Sequence, residues 1–261
     1  MSRIYPVCSS SSGNSTFIGT RGHGIIVDAG CSFMALKNAL FLIGTKLDES
    51  GIEAVFITHE HSDHIKGVEQ IIKKTKIPIF ASRGTKEAMF PNGTDARVFD
   101  AEDGYRSADF EVSAFRTSHD SAMSVGYKIR FGEDSFGVCT DTGIVTSEAE
   151  RALLGCKTVL LESNYDEDKL RKNLNYPPEL KRRISGEFGH LSNTDCAEFA
   201  LRLVKSGTRH IILGHLSREN NTPTTAKSCV EKYLSAHGFI AERDYTLCVA
   251  PVVTTGEYIA V

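Results

Sequence analysis

Four metal-binding side chains, His59, His61, Asp63 and His64, stand within six consecutive residues of Thr58-His59-Glu60-His61-Ser62-Asp63-His64. They follow directly on Ala54-Val55-Phe56-Ile57, a short apolar run of the kind that forms a buried strand. In extended backbone alternate residues project to one side, so His59, His61 and Asp63 can converge. His64, where the chain turns into a helix, aims at an adjacent point. One turn thus supplies two incomplete clusters, His59 with His61 and Asp63 with His64. A lone histidine is most simply a surface or satisfied core residue. Three of the chain's nine histidines with an aspartate in one turn are not, and the run predicts metal binding.

A metal requires three or more protein ligands, so the set must be completed from elsewhere. Candidates stand at predicted strand ends, where functional side chains gather. His119 follows Asp109–Ser118, Asp141 follows Ser135–Thr140, and His215 follows Arg209–Leu213. Asp63 can also orient a shared water or accept its proton. Asp28 ends another strand and reads either as a hydrogen-bond partner that orients the His-rich turn or as a plain turn residue before Gly30. His190 precedes a helix whose N-terminal amides favour anions, which suits it to bind a phosphate oxygen or protonate a leaving alkoxide. A capping or packing histidine is the plainer alternative there.

The rest of the chain is compatible with one large α/β layered domain over residues 1–261, with no inserted domain. Arg3–Cys8, Ser15–Gly19 and Gly24–Asp28 read as strands, with Ser9–Asn14 as a loop. Ser32–Gly44 reads as a helix with Ser32 as N-cap, and a further helix is expected near His64–Lys74. Ser124–Phe131 and Ser135–Thr140 suggest a hairpin around Gly132-Glu133-Asp134. Thr158–Glu162 and His210–Leu213 read as buried strands. Between them, Ser192–Ser206 reads as a helix with a Ser192/Asp195 capping box and Gly207 as its stop. This order suits two sheets flanked by helices better than one doubly wound sheet.

Seven scattered cysteines, never spaced as Cys-x-x-Cys, argue for reduced thiols and against a disulfide framework or a zinc knuckle. No basic and apolar leader opens the sequence, and no apolar run approaches the roughly 20 residues that span a bilayer. A cytoplasmic protein without a membrane partner is expected. The formal net charge of −3 offers no global attraction to a polyanion, so such a substrate needs a local positive field.

The H-x-H-x-D-H run with a later His, Asp and His resembles the metallo-β-lactamase superfamily over nearly the whole chain. The resemblance implies a four-layer αββα metallo-β-lactamase sandwich with the site at one edge. It further implies that His59, His61 and His119 hold one divalent ion, that Asp63, His64 and His215 hold a second, and that Asp141 bridges them. Histidine and carboxylate donors suit Zn²⁺, Mn²⁺ or Fe²⁺. A narrower likeness is to the YycJ/WalJ branch of exonuclease-like metallo-hydrolases. It is carried by Ser11-Ser12-Gly13-Asn14, Ser118-His119-Asp120, Thr140-Asp141-Thr142-Gly143, Glu162-Ser163-Asn164-Tyr165-Asp166, Arg183-Ile184, Gly189-His190-Leu191-Ser192-Asn193 and His215-Leu216-Ser217-Arg218-Glu219-Asn220-Asn221.

That branch implies a metal-dependent phosphodiesterase acting on nucleic acid, a 5′-to-3′ DNA exonuclease with His190 and Asp63 as catalytic residues. Ser12, Asn14, Asn164, Arg183, Asn193 and Asn220 are then hydrogen-bonding candidates around a phosphate-bearing substrate. The run Lys181-Arg182-Arg183 reads as an ordinary solvated helix face. The same metals would equally serve a small thioester, lactone or cyclic phosphodiester. The complete ligand set argues against a mere binding module with a vestigial site.

Overall fold

The computed structural model describes residues 2–93, 95, 97–254 and the backbone of 259–260. The chain forms two compact units, residues 1–114, 121–125 and 251–261 in the first and residues 115–120 and 126–250 in the second.

The first unit opens with β1 (Arg3–Ser10), β2 (Gly13–Thr20) and β3 (His23–Val27), followed by α1 (Phe33–Leu42) and β4 (Ile52–Ile57). The short α2 (Ser62–Ile65) and α3 (Val68–Lys74) lead to β5 (Ile79–Ala81), α4 (Arg83–Met89) and β6 (Val98–Asp100). β7 (Tyr105–Arg106) pairs antiparallel with the start of β8 (Phe110–Arg116). The second unit takes up the chain with β9 (Val125–Phe131), β10 (Asp134–Cys139), α5 (Ser147–Leu153), β11 (Thr158–Glu162), α6 (Glu167–Lys172) and α7 (Pro178–Ile184). It continues through α8 (Asn193–Lys205), β12 (His210–Gly214), α9 (Pro223–Ala236) and β13 (Thr246–Val249). The chain returns to the first unit for β14 (Ile259–Ala260).

The first sheet runs β14-β1-β2-β3-β4-β5-β6. Its β1–β2–β3 part is antiparallel, and its β3–β4–β5–β6 part is parallel. The predicted loop at Ser9–Asn14 is reduced to Ser11 and Ser12, because Ser9 pairs with Asn14 and Ser10 with Gly13. Apolar spacing on α1 buries Phe33, Leu36 and Leu40 in a core with Phe17, Val55 and Ile71. Ser32 caps that helix by accepting from the Ala35 amide.

In the second unit β9 and β10 form the expected hairpin, and β10, β11, β12 and β13 run parallel. The apolar runs of β11 and β12 are buried, as the two faces of a covered parallel sheet require. On α8, Cys196, Phe199, Ala200 and Leu203 recur at helical spacing into a core with Leu153, Ile211 and Leu234. Burying a side chain such as Phe199 or Leu203 stabilises by about 1.5–3 kcal/mol. Ser192 caps α8 through the Asp195 amide. The Asp195 carboxylate turns to the Ser192 hydroxyl rather than completing a reciprocal box.

The helix expected near His64–Lys74 is two. The Gly67 amide leaves the helical ladder to donate to Ala29 O at 2.7 Å, which breaks the chain between α2 and α3. This contact belongs to a zipper: Ala29 N donates to His64 O, and Gly30 N donates to Asn14 O. A β-carbon on Gly30 would lie 1.6 Å from Asp63 O, so only glycine permits the approach. Gly30→Ala is expected to cost about 1–3 kcal/mol as the backbone gives way and to weaken metal uptake. Urea unfolding and elemental analysis of the purified variant check both; wild-type stability would contradict the close approach.

Candidate metal centre

In the first unit β4 delivers the chain at Thr58, and the two rings that follow it inward, His59 and His64, are buried. His59 and His61 have ring centroids 4.6 Å apart, and His59 and His64 4.1 Å apart. The extended arrangement expected for His59, His61 and Asp63 holds only to His61. Helix α2 begins at Ser62, so Asp63 reaches its place from a helical turn, with Oδ2 3.5 Å from His64 Nε2. Glu60 points elsewhere, accepting from Ala122 N and from the Thr85 hydroxyl, and so fixes the turn from behind.

Asp28 orients this cluster. Its carboxylate accepts from Thr58 N at 2.8 Å and from the Thr58 hydroxyl, and it lies 2.8 Å from His64 Nδ1. Nδ1 therefore carries the proton, and the lone pair stands on Nε2. Asn14, buried rather than presented to a substrate, places its amide nitrogen 3.1 Å from that Nε2 and 3.3 Å from Asp63 Oδ2. An N–H group bonded to both marks the point on which their lone pairs converge. Ser12 is exposed at the β1–β2 turn and lines, with Asp63, Lys66, Met89 and Phe90, a groove of about 830 Å³.

In the second unit His119, Asp141, Glu162, His190 and His215 gather at the ends of neighbouring strands. Asp141 Oδ1 lies 3.3 Å from His215 Nδ1, 3.7 Å from His190 Nδ1 and 3.8 Å from His119 Nε2. His119 donates Nδ1–H to Gly189 O at 2.9 Å, which leaves its Nε2 as the ligating atom. Burial pushes the pKa of His119 down, more than Asp141 draws it up, and so favours the neutral imidazole that binds metals.

Glu162, which sequence reasoning did not single out, organises this cluster. Its Oε1 lies 2.8 Å from Nδ1 of both His190 and His215, and its Oε2 accepts from Thr142 N and Leu191 N. Burial opposes its ionisation, but the His190 charge and the two imidazole hydrogen bonds hold its carboxyl below the usual range. The available signals were its place at the end of the predicted buried strand Thr158–Glu162 and at the head of the Glu162-Ser163-Asn164-Tyr165-Asp166 motif.

The remaining candidates divide. Asn164 is buried and donates to His215 O at 2.8 Å, so it positions that residue. Asn193 is buried among Ser163 and Asn221, and Asn220 is buried with its side chain accepting from Asn173. Asn193 and Asn220 thus hold neighbouring loops together. Arg183 is exposed, with Nε 2.6 Å from Asp120 Oδ2.

Asp28, Asp141 and His215 also share a left-handed backbone, with φ of 60°, 56° and 53°. Such conformations cost about 1–3 kcal/mol each and persist where surrounding structure enforces them, commonly at functional sites.

Each cluster fits a divalent ion by the chemistry of its donors: imidazole and carboxylate, without thiolate, with histidines fixed by carboxylates or carbonyls on their far nitrogens. Asp141, Glu162, His190 and His215 each bring one donor atom within 4.8 Å of the others. Residues 23–216 match the family model described as the β-lactamase superfamily domain. The chain belongs to the metallo-β-lactamase superfamily. Within that superfamily of metal-dependent hydrolases it is 35% identical over 240 residues to exodeoxyribonuclease YycJ of Bacillus anthracis, with 89% of each chain covered. It is 34% identical over 222 residues to exodeoxyribonuclease WalJ of Streptococcus pneumoniae, covering 82% of this chain and 81% of that one. These relatives place it in the YycJ/WalJ branch. Among solved structures, the metallo-β-lactamase fold protein YhfI from Bacillus subtilis superposes with a TM-score of 0.70 at 11% identity, covering 97% of this chain and 98% of that one. Zn²⁺-bound PqqB from Methylobacterium extorquens superposes at 0.68 and 14%, covering 99% and 100%. The fold expected from the sequence is the fold these structures share. No helix among the described residues is long and apolar enough to cross a membrane.

Asp28→Asn and Glu162→Gln both remove a carboxylate that fixes an imidazole. Each is expected to lower metal affinity by about 10–100-fold, read by competition with a chromogenic chelator. Unchanged affinity in both would sink the assigned orienting roles.

Proposed function

We propose that this metallo-β-lactamase-fold enzyme is a dinuclear metal-dependent phosphodiesterase acting on nucleic acid, a 5′-to-3′ DNA exonuclease of the YycJ/WalJ type. His59, His61 and His119 would hold one ion, Asp63, His64 and His215 the other, and Asp141 would bridge them. Zn²⁺ and Mn²⁺ both suit these donors. When bound, such ions lower the pKa of a shared water and stabilise charge on a phosphoryl oxygen.

The observation that carries the reading is the pairing of His190 with Glu162. With Nδ1 directed at an ionised carboxylate, His190 keeps its other nitrogen for substrate. His190 thus has the equipment to bind a phosphate oxygen and then protonate the alkoxide that leaves. It stands two residues before the Ser192 cap of α8, whose unbonded amides favour negative charge. Asp63, from its helical turn, would orient the attacking water or accept its proton. The YycJ and WalJ relatives support a nucleic-acid substrate, and the names they carry are those of exodeoxyribonucleases.

The test is hydrolysis of labelled single-stranded and duplex DNA, RNA and a chromogenic phosphodiester, under Mn²⁺ and under Zn²⁺. DNA shortened from its 5′ end is the expected result. Turnover confined to small thioesters or lactones would refute the proposal. His190→Ala should lower phosphodiester turnover by about 10²–10⁴-fold with metal content intact; loss of metal would reassign His190 as a ligand.

A further inference from the structure

A second group of metal-binding side chains stands in the first unit, at the opposite ends of β3 and β4 from the His-rich turn. His23 opens β3, Glu53 is the second residue of β4, and Asp109 immediately precedes β8. β3 and β4 run parallel, so His23 and Glu53 lie at their starts, whereas Asp28 and Thr58 follow their ends. His23 and Asp28 are five residues apart, about 16 Å in extended backbone. None of the three residues takes part in the centre described above.

His23 Nε2 lies 3.0 Å from Glu53 Oε2 and 3.3 Å from Asp109 Oδ2. One donor atom from each residue falls within 4.8 Å of the other two. Nε2 is shut off from solvent, yet it makes no hydrogen bond to either oxygen, because neither lies close enough to the axis along which the ring nitrogen bonds. Ligands around one ion have this geometry. Donors about 2.0–2.1 Å from a shared ion stand about 2.8–3.0 Å apart in an octahedron and about 3.3–3.4 Å apart in a tetrahedron. In both, the neighbouring oxygen sits well off the nitrogen's lone-pair axis, on which the ion itself lies.

The main chain sets these donors in place. Gly24 N donates to Gly51 O at 3.1 Å and joins the starts of β3 and β4. The Asp109 and Phe110 amides donate to the Ser107 hydroxyl, and Ser107 N donates to Phe110 O, which closes the turn that presents Asp109. The Tyr105 hydroxyl donates to Glu53 Oε1 at 2.6 Å and leaves Oε2 for His23. Burial, and then Glu53, push the Tyr105 phenol up, so it stays protonated and keeps donating. A hydrogen bond of this kind onto a ligating carboxylate fixes its orientation. Two carboxylates share one imidazole here, and among the described residues neither is paired with a lysine or arginine. The guanidinium next in sequence to Tyr105, that of Arg106, is taken by Glu111.

The structure assigns a further divalent-cation site to His23 Nε2, Glu53 Oε2 and Asp109 Oδ2, with Zn²⁺ as its ion and water completing the shell on the exposed Asp109 side. The ion clips the starts of β3 and β4 to the segment that enters β8. Because these three residues are distant in the chain, only the folded protein presents the site, and binding there stabilises the fold.

The test uses the full chain, stripped with a chelator and then dialysed against buffered micromolar Zn²⁺. Elemental analysis reads metal content, and a thermal scan with and without Zn²⁺ reads stability. Hydrolysis of a chromogenic phosphodiester reads the other centre. Glu53→Gln and Asp109→Asn are each expected to hold one Zn²⁺ fewer per chain than wild type and to keep phosphodiester turnover. Each should also lose about 5 °C of the rise in thermal midpoint that Zn²⁺ gives the wild type. The Asp109 side chain is 55% exposed, so its variant keeps the test open where Glu53→Gln fails to fold. Equal zinc content in the wild type and the folded variants would overturn the site and leave an imidazolium held by two carboxylates. Loss of more than one ion, or of turnover, would overturn its separation from the centre at the His-rich turn.

Discussion

A carboxylate hydrogen-bonded to the far nitrogen of an imidazole recurs in both units, and the arrangement of the candidate centre depends on it. Asp28 makes that bond to His64, and Glu162 makes it to His190 and His215 at once. Each carboxylate also accepts backbone amides, from Thr58 in one case and from Thr142 and Leu191 in the other. The ring orientation is therefore set by main chain, through the carboxylate. A histidine so held selects one tautomer and loses little freedom when it binds a metal or a phosphate.

The same logic accounts for the strained backbone. Asp28, Asp141 and His215 each follow a buried strand, where the regular alternation of the pleat would carry the next side chain away from the cluster. A left-handed residue at that point turns the chain back on itself. Asp and His tolerate the conformation better than β-branched residues do. Paired strands on either side hold such a residue in place, so the pairing of β3, β10 and β12 with their neighbours sustains local strain at their ends.

How much of this was legible in the sequence follows from where the information lies. His59, His61, Asp63 and His64 were readable because they are consecutive and their chemistry is unmistakable at that spacing. The capped helices after Ser32 and Ser192 were readable because a cap is local. Glu162 was not, since one acid after Thr-Val-Leu-Leu looks like any strand end until two imidazoles arrive from residues 190 and 215. The split between α2 and α3 was hidden for a similar reason, because the bond from Gly67 to Ala29 joins residues far apart in sequence. The buried loop contacts of Asn193 and Asn220 were equally hidden. An asparagine buried among other amides and one exposed to a ligand are spelled identically, and only burial separates them.

Charge shows the same limit and its physical consequence. A net charge of −3 averages over the whole chain, whereas the field at a site falls off within about 8–10 Å in physiological salt. Within α6 and α7, for example, cations exceed anions six to three although the chain as a whole is acidic. The solvent-facing placement of α7 is consistent with this, because a helix with no buried residue gains little from packing and keeps its cations hydrated and accessible. Phe188 and Leu174 are the complementary case, apolar groups kept in water at a hydrophobic cost of about 1.5–3 kcal/mol each. Basic and apolar exposure coincide over one short segment tied to His119 by main-chain hydrogen bonds.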